Sequence, residues 1–105
     1  MTRLDFKRTT KDLGALGSAY VSAGYQRADG TDVWEDVPMT NDQARHDLPE
    51  GVTTFVVRCQ ICGDAKGVVE LELKKGDKVL KPSFKREIKP TEAGRTFLEY
   101  RMYTL

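Results

Sequence analysis

The sequence predicts an all-β protein: a single antiparallel β-sandwich of immunoglobulin-like architecture, with about seven short strands in one domain over residues 1–105. Three observations predict it. Apolar and polar residues alternate in short segments, turn residues separate these segments about every ten positions, and no segment has the period of a long helix. A small β-barrel has strands at the same spacing and is the alternative.

The first half of the chain contains three predicted strands. "RLDFKR" (3–8) places Leu4 and Phe6 on one side, and "TTKDLGALG" has too much glycine for more than one helical turn. "SAYVSAGYQ" (18–26) is a half-buried strand, and "ADGT" predicts a hairpin to "DVWEDVPM" (32–39). Trp34 lies on the opposite side from the apolar residues of its strand, and Pro38 indicates an edge or an end. The inward residues of the two hairpin strands are Ala19, Val21, Ala23, Tyr25, Val33, Val37 and Met39.

The second half contains the clearest alternation. "TNDQARHDLPEG" (40–51) is predicted to be a polar connection ending in a turn. "VTTFVVRCQIC" (52–62) and "VVELELKK" (68–75) are strands, and "KPSFKREIKP" (81–90) directs Phe84 and Ile88 inward. "TEAG" (91–94) turns the chain, and "RTFLEYRMYTL" (95–105) has apolar residues on both faces, which predicts a central or interface strand. The inward residues of the first two strands are Phe55, Val57, Cys59, Ile61, Val69, Leu71 and Leu73.

The charge is unevenly distributed. The formal net charge is +1, which gives no overall attraction to nucleic acid or to an anionic membrane. Residues 27–50, however, carry seven acids against two bases, and residues 74–89 carry seven bases against two acids. These two segments of opposite charge predict an electrostatically oriented association with another protein or with a second copy of the chain.

The segment "RCQICGD" (58–64) has the C-x-x-C-G form of a zinc knuckle. Residues three apart on a regular strand point to opposite faces, so Cys59 and Cys62 converge only if the strand ends or bulges by Cys62. His46, the only histidine, and Asp64 could complete the site, or a second subunit could supply another pair. The alternative is that Cys59 is a core residue and Cys62 is incidental. A redox pair is disfavoured because the segment leads into a strand.

Other chemistry has weaker signals. "DGTDVWED" could hold calcium but fits solvated turn carboxylates, and "KKGDKVLKPSFKR" could meet phosphate but fits lysines that protect a strand edge. Binding to nucleic acid is therefore not expected. His46 lies in a polar segment without a nucleophile elbow, and no glycine-rich phosphate loop occurs. We therefore expect a protein without catalytic residues.

The sequence as a whole predicts a non-enzymatic binding or assembly module that acts on another protein or on itself, with a homodimer as one outcome. The predicted binding surface consists of Tyr20, Trp34, Lys75, Lys78 and Lys85. No cofactor is expected in this hypothesis; the alternative is a small zinc protein that uses Cys59, Cys62 and His46. The start of the chain has no secretory signal and no segment is apolar enough to span a bilayer, so we expect a cytoplasmic location and no membrane partner.

Overall fold

The computed structural model describes residues 1–14, 17–63, 67–89, 92 and 94–105. These ranges form nine strands: β1 (Thr2–Lys11), β2 (Ser18–Gln26), β3 (Asp32–Asp36), β4 (Gln43–Leu48), β5 (Thr54–Cys62), β6 (Gly67–Lys75), β7 (Lys78–Val79), β8 (Phe84–Ile88) and β9 (Thr96–Thr104). Within them, no helix has the length and apolar character needed to cross a membrane. Part of "TTKDLGALG" (9–17), part of the predicted turn at 91–94, and Asp64 as a metal ligand lie outside the described residues.

The strands form two antiparallel sheets packed face to face. The five-stranded sheet has the order β4-β1-β6-β7, with β8 also pairing with β6, and the four-stranded sheet has the order β3-β2-β5-β9. The sheets do not close into a barrel, so the predicted all-β sandwich is confirmed and the barrel alternative is wrong. His46 on β4 meets Glu35 on β3, and Arg86 on β8 meets Glu99 on β9. One side of the sandwich therefore carries β3 and β4, and the opposite side carries β8 and β9.

The core lies between the sheets and follows from the period of two along each strand. The alternation predicted for β2, β5, β6 and β8 is confirmed, and the Asp-Gly hairpin between β2 and β3 forms as predicted, with Gly30 at a positive φ. Removing an aliphatic or aromatic side chain of this size from water contributes about 1.5–3 kcal/mol. The largest fully buried side chains are Tyr103, Phe6, Phe55, Phe84, Leu4, Leu48, Ile61, Leu73, Ile88, Val57, Val69 and Cys59.

The prediction of a polar connection over 40–51 is wrong, because residues 43–48 form β4. This strand pairs antiparallel with β1, with Leu48 opposite Thr2 and Gln43 opposite Lys7. Its inward positions are Ala44, His46 and Leu48, and only Leu48 is a large aliphatic residue. A strand at the edge of a sheet buries little surface, so it can form with few apolar residues on its inner side. The alternation of apolar and polar residues in β4 is correspondingly too weak to distinguish the strand from a loop.

The last strand was predicted to be central or at an interface, and the central position is wrong. β9 pairs with β5 and lies at the edge of the four-stranded sheet. Its inner side contributes Phe97 and Tyr103 to the core, and Tyr103 stacks on Phe55 with 5.4 Å between ring centroids. Leu98, Tyr100 and Met102 point away from the core and are exposed. The apolar residues on the second face of β9 are thus not buried by this chain.

Two arginines link the sheets at the two open sides of the sandwich. On one side Arg8 of β1 donates a hydrogen bond from Nη1 to the Ala19 carbonyl of β2 at 2.7 Å, and its Nη2 lies 2.8 Å from Asp42 Oδ1. On the other side Arg86 Nε lies 2.9 Å from Glu99 Oε1, and the same guanidinium binds Glu92. These contacts supply polar partners where the apolar core ends.

The two charged segments lie at opposite sides of the sandwich. The acidic segment 27–50 contains β3 and β4, and the basic segment 74–89 contains β7 and β8. The folded domain therefore has an acidic segment on the side of β3 and β4 and a basic segment on the side of β7 and β8.

Replacing Arg8 with methionine should lower the free energy of unfolding by about 1–2 kcal/mol, because the Ala19 carbonyl loses its charged donor between the sheets. Arg3 is the matched control: it lies on the same strand, its side chain is 58% exposed and its Nε is 4.0 Å from Asp5 Oδ1. Arg3→Met should change the stability by less than about 0.5 kcal/mol. Urea unfolding followed by circular dichroism measures both, and equal effects would contradict the bridging role of Arg8.

Candidate binding face

The outward faces of the two sheets have different chemistry. The five-stranded sheet presents ion pairs between neighbouring strands, among them Arg45 Nε at 3.8 Å from Asp5 Oδ1 and Lys85 Nζ at 3.7 Å from Glu70 Oε1. The four-stranded sheet presents aromatic and apolar groups instead. Seven large apolar side chains are exposed in the described part of the chain, and five of them lie on this face: Tyr20, Trp34, Leu98, Tyr100 and Met102.

Strand pairing brings these side chains into adjacent rows across the four-stranded sheet. We use the term aromatic face for the outward residues Tyr20, Trp34, Val56, Arg58, Gln60, Leu98, Tyr100 and Met102. The register gives three rows, which read Trp34–Gly24–Val56–Met102, Asp36–Ser22–Arg58–Tyr100 and Tyr20–Gln60–Leu98. These rows cross all four strands of the sheet. Adjacent strands are only about 4.8 Å apart, so side chains in one row lie close together.

Trp34 is held in place by its neighbours in these rows. The glycine opposite it, Gly24, leaves space for the indole, since a Cβ there would lie 2.7 Å from the ring carbon Cε3. The Arg58 guanidinium carbon lies 4.3 Å from the ring centroid, and Tyr100 approaches edge-on at 6.4 Å. These contacts fix a side chain that is still 44% exposed. A fixed aromatic group loses little conformational entropy when a partner binds.

The structure divides the predicted binding residues into two groups. Tyr20 and Trp34 lie together on the aromatic face. Lys75 and Lys78 face each other at the turn between β6 and β7, and Lys85 lies on β8, so all three belong to the five-stranded sheet.

Sequence reasoning did not assign Arg58, Leu98, Tyr100 or Met102 to the binding surface. Their outward positions follow from the alternation along β5 and β9. Their proximity to Trp34 follows only from the pairing of β5 with both β2 and β9, and a local pattern does not encode that pairing.

The two cysteines point to opposite faces of β5. The strand continues through Cys62, which pairs with Ser18 on one side and Thr96 on the other. Cys59 is fully buried in the core, and this burial raises the pKa of its thiol from 9.0 to about 12. Cys62 is half-buried on the outward side. The bend that a zinc knuckle requires is therefore not present at Cys62.

His46 lies in β4 rather than in a loop, and its side chain is largely buried. Its Nε2 atom is 3.4 Å from Glu35 Oε1, across the open side of the sandwich. The described residues contain no group of three or more His, Cys, Asp or Glu side chains arranged to hold a metal ion. Among those residues the candidate ligands Cys59, Cys62 and His46 are thus not gathered into one site.

No protein-family model matches the chain, and no curated protein and no solved structure matches it.

Replacing Gly24 with alanine should displace the Trp34 ring, because the added methyl group occupies its position. We expect a red shift of the fluorescence of Trp34, the only tryptophan, and a loss of about 1 kcal/mol in stability. The control is the same substitution in a Trp34→Ala background, where the space is free and alanine should be neutral or stabilising in the strand. An unchanged emission spectrum in Gly24→Ala would contradict the packing of the Trp34 ring over Gly24.

The two thiols should differ in their reaction with a maleimide. In the native protein we expect Cys62 to be modified and Cys59 to be protected, because Cys59 is buried and remains a thiol well above neutral pH. Unfolding in urea should make Cys59 react with the maleimide as well. The variants Cys59→Ala and Cys62→Ser assign each reaction, and mass spectrometry counts the adducts. Protection of Cys62 that a chelator abolishes would instead support the zinc alternative.

Proposed function

We propose that this protein is a non-enzymatic binding or assembly module that recognises another protein through the aromatic face. The observation that carries the proposal is the contrast between the two outward faces of the sandwich. The five-stranded sheet carries ion pairs between neighbouring strands on its outward face, whereas the four-stranded sheet leaves five large apolar side chains in water. Contiguous exposed apolar groups of this kind are typical of interaction sites.

The composition of the aromatic face favours a protein partner. Tryptophan, tyrosine, methionine and arginine are the residues enriched at protein interfaces, and Trp, Tyr and Arg dominate their energetic hot spots. On this face Trp34 contacts both Arg58 and Tyr100. Polar residues border them on two sides, with Asp36 at the β3 edge and Ser18 and Thr96 at one end. An apolar centre inside a polar rim is the usual anatomy of an interface.

The three predicted lysines have a separate role in this proposal. Lys75, Lys78 and Lys85 lie on the five-stranded sheet and do not contact a partner bound to the aromatic face. Together with the acidic segment at the opposite side, they orient the approach of a charged partner. Screening at cellular salt limits this effect to about 8 Å, so the lysines contribute to the rate of association more than to affinity.

We assign no catalytic step to the aromatic face. Its members are aromatic, aliphatic, thioether, amide and guanidinium side chains, and none of them is a nucleophile next to a base. The thiol nearest to the interior, Cys59, is buried and carries a raised pKa, which disfavours reaction. The proposed location remains the cytoplasm, where both cysteines would stay reduced.

The proposal predicts that substitutions on the aromatic face remove binding without unfolding the protein. Immobilised protein captures a partner from cell extract, and the purified partner is then titrated. Trp34→Ala and Tyr20→Ser should each weaken binding by about tenfold or more, as expected for interface hot spots. Tyr20 is 66% exposed, so Tyr20→Ser should leave the unfolding midpoint unchanged.

The matched control is Lys75→Ser combined with Lys78→Ser, on the opposite sheet. It should retain the equilibrium affinity and alter the association rate only at low salt. A partner whose affinity depends on the lysines and is indifferent to both aromatic substitutions would contradict the assignment of the face.

A further inference from the structure

The free edge of β9 is the least protected strand edge in the described part of the chain. β9 has nine residues, whereas the other edge strands have six residues or fewer. The opposite edge of the same sheet, β3, carries Asp32, Glu35 and Asp36 and is followed by Pro38. Charge, proline and shortness are the usual means of blocking edge pairing. β9 is long and contains no proline, and its two charged residues, Glu99 and Arg101, are opposite in sign and lie 3.6 Å apart.

The register identifies which backbone groups face that edge. The Leu105 N–H donates to the Thr53 carbonyl at 2.7 Å, in line with the pairing of β9 with β5. Because hydrogen-bonded and non-hydrogen-bonded pairs alternate along an antiparallel ladder, the odd-numbered residues of β9 bond to β5. Leu98, Tyr100 and Met102 therefore direct their N–H and C=O groups to the free edge. The Tyr100 carbonyl accepts a hydrogen bond from its neighbour, Arg101 Nη1, at 2.9 Å.

The sequence of β9 is complementary to itself in the antiparallel direction. Tyr100 is the middle residue of Thr96–Thr104. When two copies of the strand are aligned about Tyr100, Leu98 faces the partner's Met102 and Glu99 faces the partner's Arg101. Thr96 and Thr104 face each other at the ends. Apolar side chains thus face apolar side chains. Because the pair is symmetric, the contact between Glu99 and the partner's Arg101 occurs twice.

We propose that two copies of this chain associate through β9, in an antiparallel pair centred on Tyr100. The pairing would extend the four-stranded sheet into a continuous sheet with the order β3-β2-β5-β9-β9-β5-β2-β3. It supplies about ten backbone hydrogen bonds, two for each pair of outward-directed residues. Glu99 and Arg101 occupy the non-hydrogen-bonded pairs, where side chains approach most closely. In the pair, the Tyr100 carbonyl exchanges its hydrogen bond from Arg101 for one from a backbone N–H of the partner strand.

The surrounding charges are compatible with this arrangement. The neighbouring strand β8 carries bases, but Lys85 is paired with Glu70, and Arg86 is paired with Glu92 and Glu99. A head-to-tail contact between the basic side and the acidic side would be heterologous and would produce a ring or a filament instead of a two-fold pair. The self-complementary strand favours the closed dimer.

The inference deepens the proposed function and rests on it in part, because the dimer joins two aromatic faces into one surface. The two ideas are nevertheless separable. Tyr20 lies on β2 and Trp34 on β3, away from the β9 edge. Tyr20→Ser should leave the dimer dissociation constant unchanged while it weakens partner binding.

The test is a charge exchange followed by sedimentation equilibrium. Arg101→Glu places two acids on β9, and Glu99→Arg places two bases on it. Each variant alone should raise the dimer dissociation constant by about tenfold or more, because like charges then face each other. An equimolar mixture should form a 1:1 heterodimer, since each acid again faces a base. Variants that dimerise as the native chain does, or a mixture that stays monomeric, would overturn the proposal.

A second measurement uses the native sequence and does not depend on the folding of any variant. Hydrogen exchange at increasing protein concentration should slow at the Leu98, Tyr100 and Met102 amides, which face the free edge. The Phe97, Glu99 and Arg101 amides, which bond to β5, should exchange slowly at every concentration. Exchange at Tyr100 that is independent of concentration up to the millimolar range, or a ladder of higher oligomers, would refute the paired dimer.

Discussion

The inward packing of alternate residues on β5 is the constraint on which the rest of the structure depends. Phe55, Val57, Cys59 and Ile61 are all buried against the five-stranded sheet. Because the side-chain period of a strand is two, this burial also determines which residues point outward, and the register carries the same assignment to β2 and β9. The divergence of the two cysteines and the position of Arg58 beside Trp34 both follow from it.

The contrast between the two outward faces is the second consequence. Both sheets bury an apolar inner side in the same core, so core formation does not require apolar residues on either outer side. The five-stranded sheet has charged pairs there, as expected of a solvated surface. The four-stranded sheet has Trp34 seated over Gly24 and contacted by Arg58 and Tyr100. An arrangement that fixes an exposed indole does little for the core, which favours a role in recognition.

The sequence predicted the parts of the fold that local periodicity controls. β2, β5 and β6 are long and strongly apolar on one side, and the outward placement of Tyr20 and Trp34 followed from the same alternation. β4 was missed because its inner side consists of Ala44, His46 and Leu48. The edge position of β9 and the contact of Arg58 with Trp34 depend on pairing between distant segments. Such pairing is fixed by the three-dimensional competition among strands, which short patterns do not contain.

The pairing of β9 at the edge of its sheet also places part of the aromatic face directly beside a free strand edge. The inner side of this strand completes the core through Tyr103, and Arg86 reaches Glu99 from the other sheet, so the strand is held firmly on two sides. Its pairing with β5 is uninterrupted from Thr96 to Thr104, and Leu98, Tyr100 and Met102 remain exposed along this edge strand. On the opposite side of the sandwich the short, acidic β3 and the contact between His46 and Glu35 close the structure. The two sides therefore differ in chemistry: the β9 edge carries exposed apolar side chains and the β3 edge carries acidic ones.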